Sequence, residues 1–215
     1  MKRLKYIAPI LIAVACLGLQ QAKADTFTFT SDHCSGGCGP QPGGFGSVTL
    51  TQAGANVNVS VSLFNGNQWV QTGAGGMQYF LFDNAAITLA NITNISMPGN
   101  PGGPTVGVQG PIMANGTGTW MWAIGCPTCP TGGSAAFASS LTFTVTNTTL
   151  AAMEVGHAVG STTELFVADI LSGTTGMTGD VDVNTGGSVP DGGATVMLLG
   201  VALGALGMVR RYLTS

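Results

Sequence analysis

Positive charge is what this 215-residue chain has least of. It holds six Lys and Arg in all, and each lies near an end: Lys2, Arg3, Lys5, Lys23, Arg210 and Arg211. Residues 25–189 contain none, against eight acids: Asp25, Asp32, Asp83, Glu154, Glu164, Asp169, Asp180 and Asp182. Nucleic-acid binding relies on basic side chains that neutralise phosphates, so no nucleic-acid partner is expected. Capture of a phosphate or carboxylate by an arginine fork is excluded for the same reason. Histidine is scarce too, with only His33 and His157. Few general acids or electrostatic clamps are left for catalysis. The region between the two ends also lacks any stretch of helical period and any clear internal repeat.

What is abundant is glycine, 34 residues, set between runs that alternate apolar and polar side chains. Phe27 and Phe29 alternate with Thr26, Thr28 and Thr30. Val57, Val59, Val61 and Leu63 alternate with Asn58, Ser60 and Ser62, and Leu141, Phe143 and Val145 with threonines. A period of two is that of half-buried antiparallel strands. Residues 77–82 and 165–171 are apolar on both faces, as central strands are. The expected fold is all-β, an antiparallel β-sandwich of jelly-roll-like type with nine to eleven strands. Residues 97–116 carry Pro98, Pro101, Pro104 and Pro111 among glycines, and read as a mobile surface loop.

The ends read differently. Lys2, Arg3 and Lys5 precede an apolar stretch from Ile7 to Leu19, and Ala22-Lys23-Ala24 is a small-x-small cleavage site. Residues 1–24 are therefore a secretory signal peptide, and the mature chain is expected to start at Asp25. Cys16 follows Ala13-Val14-Ala15, a poor lipobox, and should leave with the signal. Residues 25–188 form the acidic sandwich domain, and residues 189–215 a separate tail. In that tail Val189-Pro190-Asp191-Gly192-Gly193 leads into an uncharged stretch over 194–209, followed by Arg210-Arg211. Sixteen helical residues span about 24 Å, short of the roughly 30 Å hydrocarbon core of a bilayer. Gly200, Gly204 and Gly207 weaken such a helix further, and the two arginines should stay on the cytoplasmic side.

This three-part tail resembles an exosortase sorting signal, the VPDSG-CTERM form of the PEP-CTERM class. It departs from that form at Gly192, where the name has Ser. The resemblance implies export, transient residence in the inner membrane, and cleavage near Pro190. It further implies release to the cell surface or extracellular matrix. Signal peptidase and an exosortase-type processing enzyme are the implied partners. Nothing about the cargo's activity follows from the tail.

Four cysteines remain once the signal is removed, Cys34 and Cys38 and then Cys126 and Cys129. In an oxidising compartment an even count reads as disulfides, with three possible connectivities. Glycines 36 and 37 and Pro127 suit pairing within each motif; a four-cysteine zinc site, with His33 nearby, is the alternative. Asp180-x-Asp182-x-Asn184 has the start of a calcium loop, but Thr185 stands where such a loop has Gly. The same residues alternate with Val181 and Val183, as a strand's solvent face does. Asp169, on a face with Leu165, Val167 and Leu171, reads as an edge-strand acid, with a buried functional carboxylate as the alternative. Trp120, Trp122 and Ile124 share one strand face, which is core or, if exposed, a platform for sugars. Gly132–Ala136 is a poor nucleophile elbow, and Glu154 and His157 lack a second histidine at ligand spacing.

No catalytic residue, cofactor or resident metal is therefore expected, calcium at Asp180, Asp182 and Asn184 being the one candidate. The expected function is a non-catalytic structural or adhesive one at the cell surface, associated with extracellular polysaccharide. A carbohydrate- or calcium-binding lectin-like module is the second reading, and a glycan-active enzyme the third.

Overall fold

The structure, a computed structural model, describes residues 23–72, 78–184 and, by backbone alone, 188–190. Ala24–Asp191 forms one unit, whose regular elements are nearly all strands. In chain order these are β1 (Ala24–Phe29), β2 (Ser31–Asp32), β3 (Gly46–Ala53), β4 (Asn56–Leu63), β5 (Gln68–Trp69), β6 (Phe80–Phe82) and β7 (Ile92–Ser96). Then come β8 (Val106–Ala114), β9 (Gly118–Gly125), β10 (Ser140–Val145), a single helical turn α1 (Leu150–Met153), β11 (His157–Val159) and β12 (Thr162–Leu171). The last two are β13 (Thr178–Asn184) and β14 (Ser188–Pro190). Fourteen strands among the described residues exceed the nine to eleven expected. The excess is β2, β5, β11 and β14, two or three residues each, too short to display a period.

Every strand pair is antiparallel. The first sheet runs β14-β1-β3-β4-β10-β7. The second runs β2-β13-β12-β6-β9-β8, and β5 and β11 also pair with β12. The alternating residues behave as their period requires. Phe27, Phe29, Val57, Val59, Val61, Leu141, Phe143 and Val145 are buried in the main core. Phe80, Phe82, Phe166, Ala168, Ile170, Val181 and Val183 face them from the second sheet. The two layers meet through aromatic rings: Phe143 lies 5.9 Å from Phe80 and 5.5 Å from Phe82, centroid to centroid. Each such side chain contributes about 1.5–3 kcal/mol by leaving water.

One expectation about the chain's organisation is overturned. Residues 97–116 are not a long irregular loop, since Val106–Ala114 is strand β8 on the edge of the second sheet. Pro111 hid it. A proline cannot donate to a ladder and is tolerated only at an edge or a bulge, and Pro111 sits where the β8–β9 register shifts. Among the described residues no helix is long and apolar enough to cross a membrane. The expected signal peptide over 1–24, but for Lys23 and Ala24, and the expected sorting helix over 194–209 lie outside the described residues.

Candidate functional site

The β8–β9 hairpin has two halves. At its base β9 pairs with β6, with Phe80 opposite Ile124 and Phe82 opposite Trp122. Between Gln109 and Ile112 the register shifts, at the cis peptide bond Gly110–Pro111. Gly110 lies against the carbonyls of Trp120 and Met121, with no room for a Cβ. Beyond this bulge the tip folds over the outer face of the second sheet. There Ile112, Ala114 and Trp120 pack on Leu81, Ala123 and Val167. Leu81 and Val167 alternate with the core residues Phe80, Phe82, Phe166 and Ala168, so they point away from the sandwich.

The two tryptophans expected on one face are thus divided. Trp122 is in the main core, its Nε1–H donating to the Asn84 carbonyl at 2.9 Å. Trp120 is in the second cluster, its Nε1–H donating to Thr117 Oγ1 at 3.2 Å. The switch occurs at Met121, whose N–H donates to Asp83 Oδ1 at 2.7 Å. Both indoles are buried, 1 % and 5 % exposed, which removes the sugar-platform reading.

The same outer face carries a row of acids. Asp169 and Asp180 are cross-strand partners, and Asp182 stands opposite Val167 two residues further along β13. Asp169 uses its peptide N–H and C=O on Tyr79 and Val70, on the far side of β12. The Asp169–Asp180 pair is therefore a non-hydrogen-bonded one, in which side chains stand closest and like charges repel. Glu164, before a bulge in β12, reaches the Asp182 carboxylate. None of the four is open to solvent: Asp169 and Asp182 are 0 % exposed, Asp180 2 % and Glu164 3 %. Asp169 is not an edge acid, because β12 has neighbours on both sides. Asp180, Asp182 and Asn184 do not form a calcium loop either. They lie on β13, where Val181 and Val183 take the alternate, core-facing positions.

Each carboxylate is half-satisfied. Thr72 donates to Asp169 Oδ2 from its N–H at 2.6 Å and its hydroxyl at 2.8 Å. The Asn115 N–H, at the hairpin tip, donates to Asp180. His33 Nε2 bonds Asp182 Oδ2, and the Thr162 hydroxyl donates to Glu164 Oε1. Asp169 Oδ1 and Asp180 Oδ1 are buried with no partner, while Asp182 Oδ1 and Glu164 Oε2 find no donor outside their own carboxyl pair. Burial, and then the charge of Asp180, pushes Asp169 up to about 8 from an ordinary 3.8. Burial raises Asp180 to about 6, against the Asn115 bond and the nearby His33. Asp182 is raised by burial first and then by Glu164.

Two histidines tie this region together. His33 spans from the β1–β3 connection to Asp182, and Gly116 presses on its ring at φ +78°, where a Cβ has no space. His157 Nδ1 stands 2.7 Å from Asp83 Oδ2, and its Nε2 2.8 Å from the Thr117 carbonyl. Its ring packs on Trp120, centroids 4.3 Å apart. The Asp83–His157 pair joins residues 74 apart, a separation that no local spacing reveals.

The cysteines lie elsewhere. Cys34 is bonded to Cys38 and Cys126 to Cys129, with Cα–Cα distances of 5.4 and 5.3 Å. All four sulfurs are thus used within their own motifs, and the zinc alternative falls. Asp32 caps the first ring, accepting from the N–H groups of Cys34 and Cys38 at 2.9 and 2.8 Å. Gly133–Ala135 is a single 3-10 turn.

The outer face of the first sheet is of another kind. Thr26, Thr49, Ser60 and Thr142 are successive cross-strand partners. So are Thr28, Ser47, Ser62 and Ser140, and likewise Thr51, Asn58, Thr144 and Thr93. Three rows of hydroxyl and amide groups result, about 4.8 Å apart across strands and ~6.8 Å apart along them. The rows contain no charged residue. Asn58, Ser60, Ser140 and Thr142 are exposed, and the others half-buried.

The first sheet ends in β14, which pairs with β1: Ser188 with Phe27, Val189 with Thr26 and Pro190 with Asp25. Residues 188–213 match the family model of the VPDSG-CTERM motif. The tail is a VPDSG-CTERM motif. It implies processing by an exosortase-type enzyme and marks the protein for export towards the cell surface. The VPDSG-CTERM motif thus begins as an edge strand of the sandwich, beside the residue expected to start the mature chain. Its remaining residues, Asp191, Gly192, Gly193, Arg210 and Arg211, lie outside the described residues. No curated protein and no solved structure matches the chain.

Proposed function

We propose that this exported protein is a non-catalytic adhesive module that holds neutral extracellular polysaccharide against the outer face of its first sheet. The observation that carries this is the uncharged lattice of hydroxyl and amide groups across five strands. A sugar chain offers hydroxyls at similar spacings, and many weak hydrogen bonds spread over one face add up. The eight acids and absent bases of residues 25–189 disfavour polyanionic glycans, so a neutral polymer is the better match. A glycan-active enzyme is the weaker reading. Its paired carboxylates must reach the substrate, whereas Asp169 and Asp180 are buried, 0 % and 2 % exposed.

Co-sedimentation with cellulose, and with the polysaccharide fraction of the producing cells, tests the proposal. Wild-type protein should sediment with at least one of them. Asn58→Glu and Ser60→Glu, each exposed, should release it while changing stability by no more than about 0.5 kcal/mol. Retained sedimentation in both variants would refute the face as the binding surface.

A further inference from the structure

We propose that the acid row under the β8–β9 tip is a binding site for a divalent cation of the calcium type, held chiefly between Asp169 and Asp180. Three observations lead there. Asp169 and Asp180 face one another as a non-hydrogen-bonded pair, the arrangement that brings two carboxylates closest. Each is more than nine-tenths buried and keeps one oxygen, Oδ1, with no hydrogen-bond partner. Asp182 and Glu164, at the next position of the face, are buried as well and hydrogen-bonded to one another, which adds a second carboxyl pair beside the first. Two facing buried carboxylates, each with one unanswered oxygen and with a second carboxyl pair beside them, are acceptors that want positive charge.

The domain has no side chain to supply it. Residues 25–189 contain neither Lys nor Arg, and His33, the nearest base, is already bonded to Asp182 Oδ2. Water could answer one lone pair but not the charge. The open ligands are all carboxylate oxygens, which is the preference of a hard cation. The sulfurs that would suit zinc are closed in disulfides. Calcium takes six to eight oxygens in loose geometry and completes its shell with water and carbonyls, so a few carboxylates at unequal distances suffice. Magnesium demands a near-ideal octahedron and is the poorer match. The donors on the second oxygens, Thr72 on Asp169 and Asn115 on Asp180, hold both carboxylates in place with their open oxygens free. Asn115 sits at the hairpin tip, so a bound ion would also fasten the tip to the sheet. The site is distinct from the proposed polysaccharide face, which belongs to the other sheet.

The test is calorimetric titration of the full-length, chelator-treated chain with CaCl2 at pH 7.5, with MgCl2 as a second arm, beside melting curves. Saturable calcium uptake, weaker magnesium uptake, and a melting temperature that climbs with CaCl2 are expected. Ions that bind only the folded state stabilise it by mass action. Asp169→Asn and Asp180→Asn should each weaken uptake about tenfold or more, since affinity follows the ligand charge. Asp32→Asn, at the Cys34–Cys38 ring, should leave uptake unchanged. Because wild-type uptake is read directly, the answer does not hinge on whether a variant folds. Absence of calcium uptake by the wild-type chain overturns the proposal. So does uptake that survives both β12–β13 variants, or that disappears with Asp32→Asn.

Discussion

Replacing Trp120 by alanine should undock the hairpin tip without dismantling the sandwich. Trp120 is 1 % exposed and is the largest member of the small cluster that joins the tip to the outer face of the second sheet. Truncating a buried Trp costs about 3–5 kcal/mol, and the loss is greatest where the surroundings cannot collapse. Here they can separate instead. The cluster has only Ile112 and Ala114 on the tip side to oppose Leu81, Ala123 and Val167. The Trp120 bond to Thr117 and the ring contact with His157 go as well. The tip should therefore open locally, and about 3–5 kcal/mol corresponds to roughly 10²–10⁴-fold faster exchange of its amide hydrogens. Hydrogen exchange resolved by residue is the assay. Amides of residues 112–121 should lose protection by that factor, while those at the centre of β12 change far less. Trp122→Ala is the contrast. That indole is in the main core and bonded to the Asn84 carbonyl, so its loss should lower global stability by about 3–5 kcal/mol. Unchanged exchange at 112–121 in Trp120→Ala would refute the docked tip. An unchanged melting temperature in Trp122→Ala would refute the core assignment.

Three further outcomes follow from the geometry. In the presence of chelator the chain should be more stable at pH 5 than at pH 8, by urea titration. Asp169 and Asp180 have folded values raised by burial to about 8 and about 6, so the stability they lend is full below about pH 4 and is lost as pH rises through those values. Asp169 faces Asp180 and Tyr79, neither of which offers positive charge, so a flat profile across that window would contradict the burial. Thiol labelling of the denatured, unreduced exported protein should find no free cysteine. Reduction should cost only about 2 kcal/mol per bond, because the rings span sequence separations of 4 and 3. Labelled thiols, or a loss nearer the ~5 kcal/mol of a long loop, would argue against local pairing. Intact-mass measurement of surface-located protein should give a chain from near Asp25 to near Val189, two residues within one step of each other across the β1–β14 ladder. Retention of Arg210 and Arg211 on that protein would count against processing at the motif.

The features legible in the sequence were those encoded locally. Strands such as β4 and β10 display their period within eight and six residues, so their inward faces could be named from alternation. The disulfides close rings of a few residues, which Gly36, Gly37 and Pro127 favour. The VPDSG-CTERM motif is a linear signal, read by the order of its residues rather than by their fold. What only the tertiary structure decided is which of the two faces of each sheet meets water. Alternation distinguishes two faces but not whether something distant covers the second one. Asp180 and Asp182 alternate with Val181 and Val183 just as solvent-facing residues would, and Asp169 has the pattern of an edge acid. Their burial comes with partners remote in sequence: Thr72 caps Asp169, Asn115 of the β8–β9 tip reaches Asp180, and His33 reaches Asp182. The bend at Gly110–Pro111 places Trp120 apart from Trp122, and the Asp83–His157 contact joins residues 74 apart. Burial is set by contacts between segments remote in sequence, so the acid row became a site only once the chain had folded over it.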